Sequence, residues 1–131
     1  MSNKIIYALI KTESYRCSTS RKFIERAITE ADILILRRRV FILGLNEFNF
    51  LRRASLTKPY IDELRTLYLD KEHELLELSL ARIPNAEMLT ALQRLKDRIR
   101  KQLTKNFLVN GIHIPDPEEI TTESDYFSKI L

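Results

Sequence analysis

The chain has 131 residues, a formal net charge of +4 and 44% hydrophobic residues, which fits one compact domain with its own core. Cys17 is the only cysteine, which excludes an intramolecular disulfide and a cysteine-based metal cage within one chain. No apolar run approaches the roughly 20 residues needed to cross a bilayer, and the N-terminus has no signal-peptide pattern, so we expect a soluble intracellular protein.

The spacing of glycine and proline favours helices. Only two glycines and four prolines occur, and the stretches between them mix Leu, Ile, Ala, Glu, Lys and Arg, as helices do. The first segment, residues 3–14, repeats apolar residues four positions apart, as in Ile5 and Leu9, although its Ile-Ile-Tyr cluster also suits a strand. We predict a helix for this segment, with a strand as the alternative.

The second predicted helix covers residues 21–43. Serine and threonine residues before it are good N-cap residues, and apolar residues then recur every three or four positions. Gly44 is expected to end the helix in the left-handed conformation. The second half carries apolar residues on two sides, and one of these rows contains Ile33, Leu36, Val40 and Leu43. Such a helix is buried either at the centre of its own molecule or against another subunit, and both alternatives stay open.

Two further helices follow. The third is predicted over residues 59–83, because Pro84 disfavours helical geometry at the residue before it. Asn85 is a suitable cap for the fourth helix, which is expected to end at Asn110 and Gly111.

The predicted fold is therefore all-α. We expect a compact bundle of four to five helices in a single helical domain, residues 1–131. Residues 110–131 form an extended acidic tail with two prolines near its start, and Tyr126 and Phe127 fall in the short helix predicted at its end.

Cationic side chains form a second regular pattern. Four of them are spaced by four, three and four residues, which places them on the side of the fourth helix opposite its apolar residues. These are Arg94, Arg98, Lys101 and Lys105. A solvated face is the ordinary interpretation, and sequence-independent contact with the phosphates of nucleic acid is the functional one. Arg38 falls on an apolar side and is expected to be ion-paired or to reach water along its stem. The candidate nucleic-acid contacts are Arg37, Arg39, Arg52, Arg53, Arg94, Arg98, Lys101 and Lys105.

Catalytic and metal-binding motifs are incomplete in this sequence. His73 begins a pattern like the zinc-protease His-Glu-x-x-His, but Glu77 occupies its fifth position. Asp70 and His73 have the spacing of di-iron ligands, but a second such pair is missing and His113 lies in an extended, proline-bounded stretch. No glycine-rich phosphate loop and no obvious Ser/His/Asp or Cys/His set occurs. We therefore expect no enzyme activity, no cofactor and no metal.

The chain combines predicted helices, scarce glycine, a single Cys17, the arginine-rich segment RRRVFIL and an acidic tail. In these features it resembles the small helical coat proteins of archaeal viruses, especially two-tailed and spindle-shaped ones. The resemblance implies a non-enzymatic virion subunit that packs with copies of itself and encloses or contacts nucleic acid. It also implies a location in the virion, or in the host cytoplasm during assembly. Self-association is expected through Ile33, Leu36, Val40 and Leu43, with DNA as a possible second partner and no small-molecule substrate.

Two alternatives stay open. One is a small nucleic-acid-binding protein that uses the cations named above without sequence preference. The other is a helical adaptor of a replication complex, because the segment from Asp62 to Leu103 is similar to the helical domain of GINS subunits.

Overall fold

The computed structural model describes residues 4–105 and 109–131, and its centre is a four-stranded antiparallel sheet. The strands are β1 (Ile5–Ile10), β2 (Leu34–Ile42), β3 (Glu72–Ser79) and β4 (Ile112–His113). They lie side by side in the order β2-β3-β1-β4. Because β1 and β2 both run antiparallel to β3, and β3 and β4 both run antiparallel to β1, the chain forms two interleaved β-α-β units. The predicted all-α bundle is therefore wrong.

Six helices are described, of which the first five lie between strands and the last follows β4. They are α1 (Thr12–Tyr15), α2 (Ser18–Glu30), α3 (Leu45–Leu51), α4 (Ile61–Tyr68), α5 (Met88–Leu103) and α6 (Ile120–Phe127), with single 3₁₀ turns at Asn85–Glu87 and Pro117–Glu119. No helix in the described ranges has the length and apolar character needed to span a membrane.

One face of the sheet packs against α2 and α5. Strands β1 and β3 contribute alternate buried residues to this face, and each of the two helices contributes its apolar stripe. The main members of this core are Ile6, Ala8, Ile10, Leu76, Leu78, Ile24, Ala27, Ile28, Leu92, Leu95 and Ile99. Burial of each large aliphatic side chain contributes about 1.5 to 3 kcal/mol, so this layer supplies much of the free energy of folding.

The opposite face is covered by α3, α4 and α6. Leu9 and Leu75 of the sheet pack with Phe127 of α6, and Phe48 packs with Leu64 in a neighbouring cluster. The central strands β1 and β3 are therefore buried on both faces, whereas most residues of β2 are exposed. The second face also holds the ends of β1 and β4, where polar side chains meet.

The predicted helices over residues 21–43 and 59–83 are each interrupted. In both cases an aspartate in the left-handed conformation ends the helical part: Asp32 has φ 63° and Asp70 has φ 61°. Aspartate tolerates this conformation better than most residues, so the chain turns there without glycine or proline. The remaining residues of each segment form β2 and β3.

Other local predictions have mixed outcomes. The predicted helix over residues 3–14 is wrong, because strand β1 fills half of it and helix begins only at Thr12. Gly44 has an extended backbone and lies at the N-cap of α3, where its N–H donates to Glu47 Oε1 at 3.0 Å, so it does not end a helix. The amphipathic helix after Asn85 is confirmed as α5, although it ends at Leu103. Arg38 is ion-paired as expected, to Glu74 at 3.0 Å.

Candidate active site

His113 and Glu123 form a close pair at the edge of the sheet. His113 lies in the short strand β4 opposite Leu9 of β1, and Nε2 of its ring is 2.7 Å from Oε1 of Glu123 in α6. The Glu123 side chain is only 4% exposed and that of His113 is 23% exposed. Because an ionised carboxylate only accepts hydrogen bonds, the Nε2 atom of a neutral ring carries the proton, and Nδ1 keeps its lone pair.

Lys11 lies beside this pair, directly after β1. Its backbone N–H donates to the carbonyl of Gly111 at 3.0 Å, and its Nζ donates to Oδ1 of Asn110 at 2.6 Å. Gly111 has φ 85°, a conformation that glycine adopts at little cost, and this turn leads the chain into β4. The turn therefore brings the ends of β1 and β4 together, so that Lys11 and His113 line one pocket.

The pocket carries a concentration of positive charge. Arg52, the C-cap of α3, and Lys11 both lie over the ring of Tyr68, at 5.8 Å and 5.4 Å from its centroid. Burial, followed by the charge of Arg52, lowers the pKa of Lys11 to about 7, and the nearby Glu13 opposes this shift. Burial also lowers the pKa of Arg52. Two buried cations repel each other, and an anion that binds between them offsets this repulsion.

Burial favours the neutral form of the two histidines of the site. Burial lowers the pKa of His73, which lines the inner wall of the pocket, to about 4. Burial also lowers the pKa of His113, although the hydrogen bond and charge of Glu123 oppose the shift. A neutral His113 retains a nucleophilic Nδ1 at physiological pH.

A wider cleft of about 470 Å³ opens from His113 to the surface. Arg100 of α5 lines the cleft with His113, and Lys96 of α5 donates to Asp116 Oδ1 at 2.8 Å. Lys96 lowers the pKa of Asp116, and this pair ties the segment between β4 and α6 to α5. The cleft is large enough for an extended polar ligand, and one end of that ligand would meet His113.

The eight candidate nucleic-acid contacts are separated by the fold. On β2, Arg37 donates to both oxygens of Glu77, at 2.9 Å and 2.8 Å, and Arg39 donates to the carbonyl of Ile130. Arg52 and Arg53 follow α3, next to the candidate site. Three cations lie exposed on α5 and one just beyond it: Arg94, Arg98, Lys101 and Lys105. Contact with DNA through these side chains stays a prediction.

The four candidate self-association residues divide into two pairs. Ile33 and Leu43 are buried in the cores of their own chain, at 2% and 3% exposure. Leu36 and Val40 lie on β2, the edge strand of the sheet, and are 47% and 39% exposed. Self-association stays a prediction, but the helical row on which it was based does not exist.

Sequence reasoning missed Lys11, His113 and Glu123 as members of one site. One weak signal was available: Lys11 directly follows the apolar run Ile5–Ile10, and a polar residue at the end of a buried strand often faces a ligand. His113 and Glu123 are ten residues apart in a stretch predicted as a tail. Their meeting depends on the sheet pairing between β1 and β4.

Three solved structures of nucleoside diphosphate kinases share this fold. The enzyme of Halobacterium salinarum, in complex with CDP, matches with a TM-score of 0.72 and 12% identity over 96% of this chain and 88% of that one. The Aquifex aeolicus enzyme has a TM-score of 0.70 and 16% identity over 95% and 94% of the chains. The Encephalitozoon cuniculi enzyme has a TM-score of 0.71 and 13% identity over 94% and 87%. No protein-family profile and no curated protein sequence matches the chain.

The fold match corrects the expectations about identity and function. The resemblance to helical coat proteins of archaeal viruses is wrong, because the structures with this fold are mixed α/β enzymes. The expected non-enzymatic virion subunit is wrong for the same reason, and its two alternatives, the nucleic-acid-binding protein and the GINS-like adaptor, are not supported either.

Proposed function

We propose that this protein is a phosphotransferase that moves a phosphoryl group between nucleotides through a phosphorylated His113. The observation that carries the proposal is the His113–Glu123 pair, 2.7 Å apart, at the wall of a pocket that also contains Lys11 and Arg52. The named activity of the three structures with this fold supports it, because nucleoside diphosphate kinases act on nucleoside diphosphates.

In the first half of the reaction, the lone pair of His113 Nδ1 attacks the terminal phosphorus of a nucleoside triphosphate. The new N–P bond forms as the bond from that phosphorus to the bridging oxygen breaks, and the electron pair leaves with the nucleoside diphosphate. In the second half, a terminal oxygen of another nucleoside diphosphate attacks the phosphohistidine, and the electrons of the N–P bond return to Nδ1. No proton has to leave Nδ1 at any point.

The surrounding groups act on charge and position. Glu123 accepts the Nε2–H hydrogen bond, which holds the ring in place and stabilises the positive charge that develops on it. Lys11, Arg52 and Arg100 offset the negative charge of the transferred group, and phosphoryl transfer depends mainly on this kind of electrostatic stabilisation. Binding of the phosphate also restores the protonated state of Lys11.

The test is incubation of the purified protein with γ-labelled ATP and Mg²⁺. We expect one acid-labile, base-stable label per chain, assigned by fragment mass spectra to His113 rather than to His73, the other of the two histidines. Addition of CDP should move the label to CTP and leave the protein unlabelled.

The variants His113→Asn and Arg94→Ala form a matched pair for this test. His113→Asn removes the nucleophile, so it should accept no label. Arg94 is an exposed cation on α5 away from the pocket, so its loss should leave labelling unchanged. Absence of label in the unmodified protein, with each of the common nucleoside triphosphates, contradicts the proposal.

A further inference from the structure

Arg53, the second residue after α3, is held in a fixed position at the back of Glu123. Its Nη1 donates to the carbonyl of Phe50 at 2.7 Å, and its guanidinium carbon lies 4.3 Å from the centroid of the Phe50 ring. Its Nη2 is ion-paired with Glu119. The same Nη2 lies 3.9 Å from Oε2 of Glu123.

The two oxygens of Glu123 therefore face different partners. Oε1 accepts from His113, and Oε2 faces Arg53. A carboxylate that is 4% exposed needs a compensating charge, and a neutral His113 supplies a hydrogen bond but no charge. In the resting protein, Arg53 is the cation closest to that carboxylate among the described contacts.

We propose that Arg53 is a positioning residue for phosphoryl transfer, which offsets the charge of Glu123 behind His113 and so prevents the carboxylate from drawing a proton onto Nδ1. The inference rests on the proposed role of His113 as the phosphoryl acceptor. With Arg53 in place, Glu123 divides its charge between two partners. Without it, the whole charge of Glu123 acts on the imidazole, which favours the imidazolium form and removes the Nδ1 lone pair.

Other charged groups around His113 are shared by all the variants considered below. The cations are Lys11, which follows β1, Arg52 at the C-cap of α3, and Lys96 and Arg100 of α5. From the segment that follows β4 the anions are Asp116, Glu118 and Glu119. Burial lowers the resting pKa of His113, Glu123 opposes the shift, and Lys11 and Arg52 add to it. Only the contribution of Arg53 changes between the variants.

The experiment measures the pKa of His113 by NMR of the imidazole carbons in the full chain, with His113→Asn used to assign the two histidine signals. Arg53→Gln should raise the pKa of His113 by about one pH unit, because it removes a unit charge near a partly solvated site. Arg53→Lys keeps the charge and should leave the pKa near that of the unmodified protein. Arg94→Gln makes the same charge change on the far side of α5 and controls for net charge.

A second measurement is the rate of labelling of His113 as a function of pH. With Arg53→Gln, the fall in rate on the acid side of this profile should occur at a higher pH, so that labelling at lower pH is about tenfold slower. Arg53→Lys should restore the original profile. An unchanged pKa of His113 in a folded Arg53→Gln variant overturns the inference. Because the NMR titration needs no activity, a protein that never accepts label refutes the proposed function and still gives a separate result for Arg53.

Discussion

Replacing Lys11 by methionine is expected to stabilise the folded protein at neutral pH while it abolishes binding of phosphate. Lys11 is 4% exposed, and its stem lies in a pocket with Leu9, Leu43 and Phe48, so a methionine fits the same space without a charge. The ammonium group is thus kept in the fold at a cost, and the proposed function gives the reason for its presence.

The cost follows from the pKa of Lys11, which falls from 10.5 to about 7 on folding. Below pH 7 the folded and the unfolded chains both carry the proton, and the full penalty applies. Between pH 7 and 10.5 the unfolded chain binds a proton that the folded chain has released, so the stability of the unmodified protein rises with pH. At pH 7 the penalty is about 4 kcal/mol. Lys11→Met also loses the hydrogen bond to Asn110, which lowers stability by about 1 kcal/mol. The net gain in stability is therefore about 3 kcal/mol for Lys11→Met.

Urea unfolding followed by circular dichroism, at pH values from 6 to 10, measures this gain. The difference between Lys11→Met and the unmodified protein should be largest at pH 7 and below, and should shrink as the pH approaches 10. Lys101→Met removes an exposed lysine of α5 and controls for the loss of a lysine as such. In the presence of phosphate or CDP, the unmodified protein should gain stability and Lys11→Met should not. A Lys11→Met variant that is destabilised equally at every pH refutes the reasoning.

Two further predictions concern the turn before β4 and the edge of the sheet. Gly111→Ala should lower the stability by about 1 to 3 kcal/mol in the same urea assay. The reason is that φ is +85° and that the added Cβ would lie 3.0 Å from both Leu103 Cβ and Ser14 Oγ. A stability within about 0.5 kcal/mol of the unmodified protein would contradict this description of the turn. We also expect two copies to associate along β2, and native mass spectrometry should show a dimer that Leu36→Lys combined with Val40→Lys converts to a monomer, since lysine on an edge strand blocks strand pairing. A monomer at high concentration without these changes would show that the expected self-association is wrong.

Helix α5 is the element that local sequence information predicted best. Its apolar residues Leu92, Leu95 and Ile99 are buried, and Arg94 and Arg98 are exposed, as the helical spacing requires. A helix buried on one side shows its period directly in the sequence. The interaction that determines it lies within about four residues along the chain, so no tertiary information is needed.

Strand β3 shows why the same reasoning failed in the sheet. Seven of its eight residues are buried, because helices cover both faces of the sheet, so alternation of apolar and polar residues is weak. Leu75, Leu76 and Leu78 then fit a helical spacing as well as a strand. The turn at Asp70 carries no glycine or proline, which removed the remaining signal for the end of α4.

What the sequence by itself determined is the part that depends on near neighbours, which is the amphipathic helix α5. What only the tertiary structure decided is the sheet and the site that it assembles. Lys11 directly follows β1, whereas His113 and Glu123 lie on β4 and α6. Their approach is a consequence of strand pairing over about a hundred residues. Pairing between distant strands leaves no periodic trace in either segment, which is why a histidine beside a carboxylate was read as part of a tail.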